Sequence, residues 1–187
     1  MGRKKADAPD TKDLLIDAAG RGFRSGGFGG SGVDGLAKRA GLTSGAFYSQ
    51  FGSKAEAFRV SVEHGLDFLL SGVETFQNAH GDAWLEPFVE FYLGARMDVE
   101  LEEACALPTF AADVGRADEK TRRVFEDGFK KVTTAISQGL EGGNREERAL
   151  ALLAVLAGAA SVARAVPQDA DIRERILIAA KAAALAV

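Results

Sequence analysis

Apolar residues recur at helical spacing through nearly the whole chain, and no segment alternates with the period of two that a half-buried strand requires. Leu15, Ala18, Ala19, Gly22 and Phe23 share one face of a first helix, which Asp10 or Thr11 can cap. Between Ser53 and Asn78 a long helix is predicted, with Phe58, Val62, Leu66, Leu69, Val73 and Phe76 on a single stripe. Asn78 to Gly81 breaks the chain. A helix over Ala83 to Met97 follows, apolar on more than one face and therefore expected at the centre. After the acidic segment Asp98 to Glu103, Pro108 suits the first turn of a short helix, Thr109 to Val114. Asp118 caps a helix carrying Phe125, Phe129, Val132, Ile136 and Leu140, ended by Gly142 and Gly143. Arg145 to Val166 and Asp171 to Ala186 form the last two helices, divided by Pro167 to Asp169. The pattern predicts an all-α fold of about nine helices.

The segment from Val33 to Phe58 reads as helix, tight turn, helix, second turn and the start of the long helix. Val33, Leu36, Ala37 and Ala40 line the first helix, and Gly41 supplies the left-handed residue that ends it. Thr43 is the N-cap expected for the next helix. Phe47 and Phe51 face inward there, while Ser44, Gly45, Ala46, Ser49 and Gln50 face outward with Tyr48 on the flank. A short helix with an aromatic anchor and a small polar outer face fits a major groove. Ser53 and Glu56 make a capping box for the long helix. Lys54 in its first turn opposes the helix dipole unless an anion such as phosphate sits there.

The run LAKRAGLTSGAFYSQFGSKAEAF closely resembles the helix-turn-helix signature of the TetR family of transcriptional regulators. Ala40, Gly41, Gly45, Tyr48, Phe51, Ser53 and Lys54 occupy that family's positions, and the likeness covers about fifty N-terminal residues. It implies an all-helical homodimer with an N-terminal DNA-binding domain, here 1–52 with a basic arm at 1–9, and a ligand-binding and dimerisation domain at 53–187. It implies a double-stranded DNA operator and a small-molecule effector as partners, with repression as the expected sign. Thr43, Ser44, Gly45 and Ala46 are expected nearest the base edges, with Tyr48, Gln50 and Lys54 toward phosphates. Gly22 and Gly32 depart from the pattern, which has a large apolar residue and a capping hydroxyl in those places.

Charge adds an asymmetry. Residues 1–62 hold ten Lys/Arg against six Asp/Glu, whereas the remainder holds thirteen against twenty-one, within a net charge of −4. A basic end on an acidic body is expected when one end meets DNA. The arm with Arg3, Lys4 and Lys5 reads equally as a phosphate-neutralising or a solubilising tail. The single Cys105 excludes an internal disulfide and fits a reducing cytoplasm. No charge-free run of about eighteen apolar residues occurs, so no membrane span is expected. Gly27, Gly29 and Gly32 spell GxGxxG, but that motif needs a preceding strand, and Leu14 to Phe23 has helical period instead. No serine–histidine–aspartate set, metal spacing or phosphate loop is present, so no catalytic residue, metal or cofactor is expected. The alternative to a regulator is an all-helical ligand-binding or interaction protein whose helix-turn-helix is vestigial.

The body supplies two further expectations. Trp84, Phe88, Phe91, Tyr92, Cys105, Phe110, Phe125 and Phe129 are the candidate walls of a pocket, with Tyr92, Trp84 and Cys105 as polar handles. Such walls would suit a small hydrophobic effector; the same aromatics could equally fill a solid core. The last two helices carry small-residue faces, Ala151, Ala154, Ala157, Gly158 and Ser161 on one and Ala179, Ala180, Ala183 and Ala184 on the other. Those faces are expected to pair two copies into a homodimer.

Overall fold

The computed structural model describes residues 11–187. The basic arm at 1–9 and the Asp10 or Thr11 cap lie outside this description. Nine α-helices and no strand are found among the described residues: α1 (Thr11–Gly30), α2 (Val33–Arg39), α3 (Ser44–Phe51), α4 (Lys54–His80), α5 (Leu85–Tyr92), α6 (Ala106–Gly115), α7 (Glu119–Gly139), α8 (Arg145–Ala165) and α9 (Asp171–Leu185). The all-α expectation holds, and α1 runs straight into the GxGxxG segment where a nucleotide site would need a strand.

Helices α1 to α3 form a small unit on the first turns of α4. Leu15, Ala19, Phe23, Leu36, Ala37, Phe47 and Phe51 are buried within it. A Cβ at Gly22 would lie 2.3 Å from Leu36 Cδ2, so the departure from a large apolar residue lets α2 close onto α1. Helix α1 bends at Gly27, whose φ of 67° and ψ of 171° are not helical. Ser31, one residue before Gly32, caps nothing on α2. Its buried hydroxyl points back, 2.9 Å from the Gly22 carbonyl and 2.8 Å from that of Gly27, and closes the bend.

In the body α4 packs along α7, and α8 packs against α7 and α9. Trp84 donates to the Gly139 carbonyl at 2.7 Å and Gln77 to the Ala135 carbonyl at 2.8 Å, tying α4 and α5 to the end of α7. Helix α7 therefore stops at Gly139 rather than at the Gly142–Gly143 pair. The expected helix over Ala83 to Met97 is corrected to α5 flanked by single 3-10 turns, Gly81–Ala83 and Ala95–Met97. The break is at Gly94, with φ −122° and ψ −106°, where a Cβ would strike the Glu90 carbonyl oxygen at 2.4 Å. Arg164 holds the chain beyond it, donating to the Arg96 and Val99 carbonyls at 2.8 and 3.0 Å.

Helix α8 is long and apolar enough to cross a membrane by length and composition. In the fold Ala149, Leu152, Leu153, Leu156, Ala160 and Ala163 bury one of its faces in the core. On the other side Ala151, Ala154, Gly158 and Ser161 are exposed, as are Val162 on α8 and Ile172 and Ile178 on α9. The expected small-residue faces are only partly so placed. Ala157 is half-buried against the core, Ala180 and Ala184 point inward, and Ala179 and Ala183 point outward.

The approach of α6 to α4 depends on Gly65. A Cβ there would stand 2.4 Å from Ala106 Cβ, an atom fixed to its own helix and unable to move aside. Gly65→Ala should therefore lower Tm, because overpacking costs about 1–3 kcal/mol and exceeds the gain in helix propensity. Gly72→Ala in the same helix meets nothing within 4 Å and should raise stability by about 0.5–1 kcal/mol; thermal melts of the two variants check both signs.

Candidate functional site

Two sites can be built from these helices, one at the outer end and one inside the body. At the outer end Gly41, at φ 71°, turns the chain from α2 into α3. The Thr43 hydroxyl accepts from the Ala46 N–H at 3.2 Å and starts α3 as a capping residue. Phe47 and Phe51 pack inward, with ring centroids 4.9 Å apart. Thr43, Gly45, Tyr48, Ser49 and Gln50 are exposed, and Ser44 and Ala46 are half-buried, so all six predicted α3 residues lie on one accessible surface. The Ser44 hydroxyl donates to the Asp34 carboxylate, which ties α3 to α2 and lessens its freedom to meet a base. Tyr48 stands edge-on to Phe47, 51% exposed, with its hydroxyl outward.

Ser53 accepts from the Glu56 N–H at 3.0 Å, as half of the capping box. The reciprocal half is absent, because the Glu56 carboxylate pairs with Arg59 and Lys120. The Lys54 ammonium lies 4.5 Å from the centre of the Phe28 ring. A cation over an aromatic face is attracted to it, so Phe28 fixes Lys54 at the start of α4. Phe28 follows the bend in α1, and its N–H donates to the Asp113 carboxylate of α6 at 2.8 Å. Sequence reasoning missed both residues: Phe28 sat in a glycine-rich run with no clear period, and Asp113 was one carboxylate among many.

The inner site is a cavity of about 150 Å³ between α1, α4, α5 and the start of α6. Phe88, Phe91, Tyr92 and Cys105 line it, as expected. The other four candidate wall residues do not. Trp84 is buried one ring behind Phe88 and spends its indole N–H on α7. Phe110 is buried against Phe58, and Phe125 and Phe129 stack on each other along α7. Helical spacing placed these rings on inward faces without saying which gap each one fills.

The cavity also has walls that no periodicity signalled: Arg24 from α1, Phe68 and Phe76 from α4, and Arg96 from the turn after α5. The Arg24 guanidinium reaches over the Phe110 ring at 5.5 Å and touches the Glu102 carbonyl at 3.4 Å. Gly20 and Gly65 flank it closely, each with a virtual Cβ 3.5 Å from one of its nitrogens. Arg24 Nε and the Tyr92 hydroxyl are buried without a hydrogen-bond partner among the described residues. Burial pushes the Arg24 pKa down and the Tyr92 phenol well up, so the phenol keeps its proton. Burial also pushes the Cys105 thiol up, against the opposing pulls of the Tyr92 hydroxyl, the Leu107 N–H and, more weakly, Arg96 and Arg24. No group of three metal-ligating side chains occurs among the described residues.

Residues 15–60 match the description of bacterial regulatory proteins of the tetR family. The matched segment runs from α1 into the second turn of α4 and takes in the helix-turn-helix unit. Reduced NemR from E. coli has the same fold with a TM-score of 0.77 at 20% identity, over 92% of this chain and 96% of that one. A transcriptional regulator from Rhodococcus sp. Rha1 gives 0.76 at 23% identity over 95% and 96%. SmeT in complex with triclosan gives 0.65 at 21% identity over 94% and 90%. No curated protein matches the chain.

The Phe28–Asp113 bond is the polar contact by which α6 grips the helix-turn-helix unit. Asp113→Ala should leave a half-buried N–H without its charged acceptor, a loss of about 1.5–3 kcal/mol. The expected outcome is faster amide exchange at Phe28 and easier proteolytic cleavage near Gly27, while Asp113→Asn, which keeps an acceptor, should show less of both.

Proposed function

We propose that this chain is a repressor which leaves its operator when a small molecule fills the body cavity. One observation carries the reading: α6 belongs to both sites. Its first residues, Cys105 and Ala106, line the cavity, and its Asp113 holds the bend of α1 at Phe28. Phe28 in turn positions Lys54, at the head of the helix whose later turns form the cavity floor. A molecule that moves the start of α6 therefore also moves the DNA-facing unit. Ion pairs beside the cavity reinforce the link, Arg39 with Glu102 at 2.6 Å and Arg21 with Glu103. A coupling of ~1–3 kcal/mol would change operator affinity by about 5–150-fold. SmeT in complex with triclosan supports a small molecule as the agent in a protein of this fold.

On DNA, Thr43, Ser44, Gly45 and Ala46 approach the base edges, and Tyr48, Gln50 and Lys54 take phosphates. Small residues on this face leave specificity to close approach, methyl contacts and DNA shape. The working division of the chain is 1–52 for DNA and 53–187 for ligand and dimer, with the chain acting in the cytoplasm. Two copies pair through the exposed faces of α8 and α9. The exposed apolar residues Val162, Ile172 and Ile178 support that surface, since a dimer would cover them.

A mobility-shift titration on DNA upstream of its own gene tests the reading: binding should be lost on adding effector. Lys54→Ala should weaken binding to all sequences alike and lower the salt slope by about one, and Tyr48→Phe should weaken it without altering that slope. Unchanged affinity in both variants would mean a different docking face. A Cβ at Gly158 meets no atom within 4 Å in the single chain, and the position is exposed; Gly158→Arg should leave the fold intact, convert the dimer to a monomer in sedimentation at micromolar concentration, and abolish the shift.

A further inference from the structure

The cavity has a charge pattern that a purely hydrophobic effector would leave unused. Its outer side is aromatic, with Phe68 66% and Phe91 43% exposed at the mouth and Phe76 and Phe88 behind them. Its inner side presents Arg24, Arg96 and Tyr92. Neither arginine has a carboxylate partner among the described residues; Arg96 gives one nitrogen to the Glu103 carbonyl at 2.6 Å. Burial disfavours the Arg24 charge most; Asp17 and Glu103 favour it from a distance, and Arg96 opposes it more weakly. The carboxylates at the cavity edge are Asp17 and Glu103, and Arg21 holds both. Neither carboxylate makes an ion pair with Arg24 or Arg96, and both are already paired with Arg21. Buried Arg24 Nε–H has no acceptor, and the buried Tyr92 O–H has none beyond the neighbouring Cys105 sulfur; such groups are seldom left so in folded proteins. All these unmet demands are for an acceptor, and two of them are for a negative one.

We propose that the cavity takes a small amphiphilic monocarboxylic acid. Its carboxylate meets Arg24 and Arg96 in charge-assisted hydrogen bonds and accepts from Tyr92, and its apolar body lies among Phe68, Phe76 and Phe88. A volume of about 150 Å³ is that of a cavity able to hold one benzene ring, so the body is a single ring or a short alkyl chain. A cationic ligand would meet the arginines without a free carboxylate to pair with. A neutral one would leave both guanidinium groups without an anion in contact. This assignment rests on reading the cavity as the effector site.

The test is isothermal titration of the full chain with benzoate, phenylacetate and 4-phenylbutyrate, each against its primary amide and against the amine of matching length. Trp84, the only tryptophan and one ring behind Phe88, gives a second readout through its emission. At least one acid should bind ten times more tightly than its amide, and the amines should bind weakest. Arg24→Met and Arg96→Met should each bring the acid down to the amide's affinity and leave the amide unchanged. Should either variant fail to fold, the acid-to-amide ratio on the unmodified chain still decides. An amide that binds as tightly as its acid, or an amine that binds best, overturns the acid and leaves the cavity an effector site. No binding by any member at millimolar concentration overturns both. An acid that binds with the stated preference but leaves operator affinity unchanged upholds the acid site and overturns the repressor mechanism.

Discussion

Phe23 of α1, Phe58 of α4 and Phe110 of α6 meet edge to face, with centroids 5.2 Å apart for the first pair and 5.5 Å for the second. All three rings are almost wholly buried. Each contributes about 1.5–3 kcal/mol by leaving water, with about 0.5–1.5 kcal/mol more for each favourable ring pair. The cluster joins the DNA-facing unit to the body, and it does so around α4, the helix common to both. Phe28 stacks on its outer side, so the ring that carries Lys54 is itself an extension of the same cluster.

Around this apolar joint the polar contacts follow one habit. Arginines grip backbone carbonyls where the chain must leave helical geometry: Arg164 and Arg173 at the turn after α5, Arg96 at Glu103, Arg24 at Glu102. A guanidinium has five donors in a rigid fork, and carbonyls at helix ends need donors. One carbonyl does not neutralise a guanidinium, however. The same device that shapes the segment from Gly94 to Cys105 leaves charge facing the cavity. From there the contacts run into the Glu102 and Glu103 ion pairs with α2 and α1.

Much of the helix-turn-helix was legible because its signals are local. Gly41 is required by a positive φ, Thr43 and Ser53 by unpaired N–H groups, and Phe47 and Phe51 by a four-residue period, all within a few residues of the structure they specify. The body was legible as helices and less so as a site. Asp118 could be named as the cap of α7 from its place before the apolar stripe, and it accepts from the Thr121 N–H at 2.7 Å. The extent of α5 could not be read, because the break at Gly94 depends on where Arg164, sixty-eight residues after Arg96, takes hold of the backbone.

The sequence alone determined an all-helical chain, its cap and turn residues, and a short helix with a polar outer face. These follow from the conformational limits of single residues and from spacing along one helix. The tertiary structure decided which inward aromatics face a void and which face another ring. It sent Trp84 and Phe110 into solid core while opening the wall beside Phe88 and Tyr92. It also decided that Gly65 lets α6 sit against α4, and that Arg24 and Arg96, from distant segments, share one cavity. Periodicity shows that a side chain points inward; what it meets there depends on another helix's path, and no local pattern encodes that.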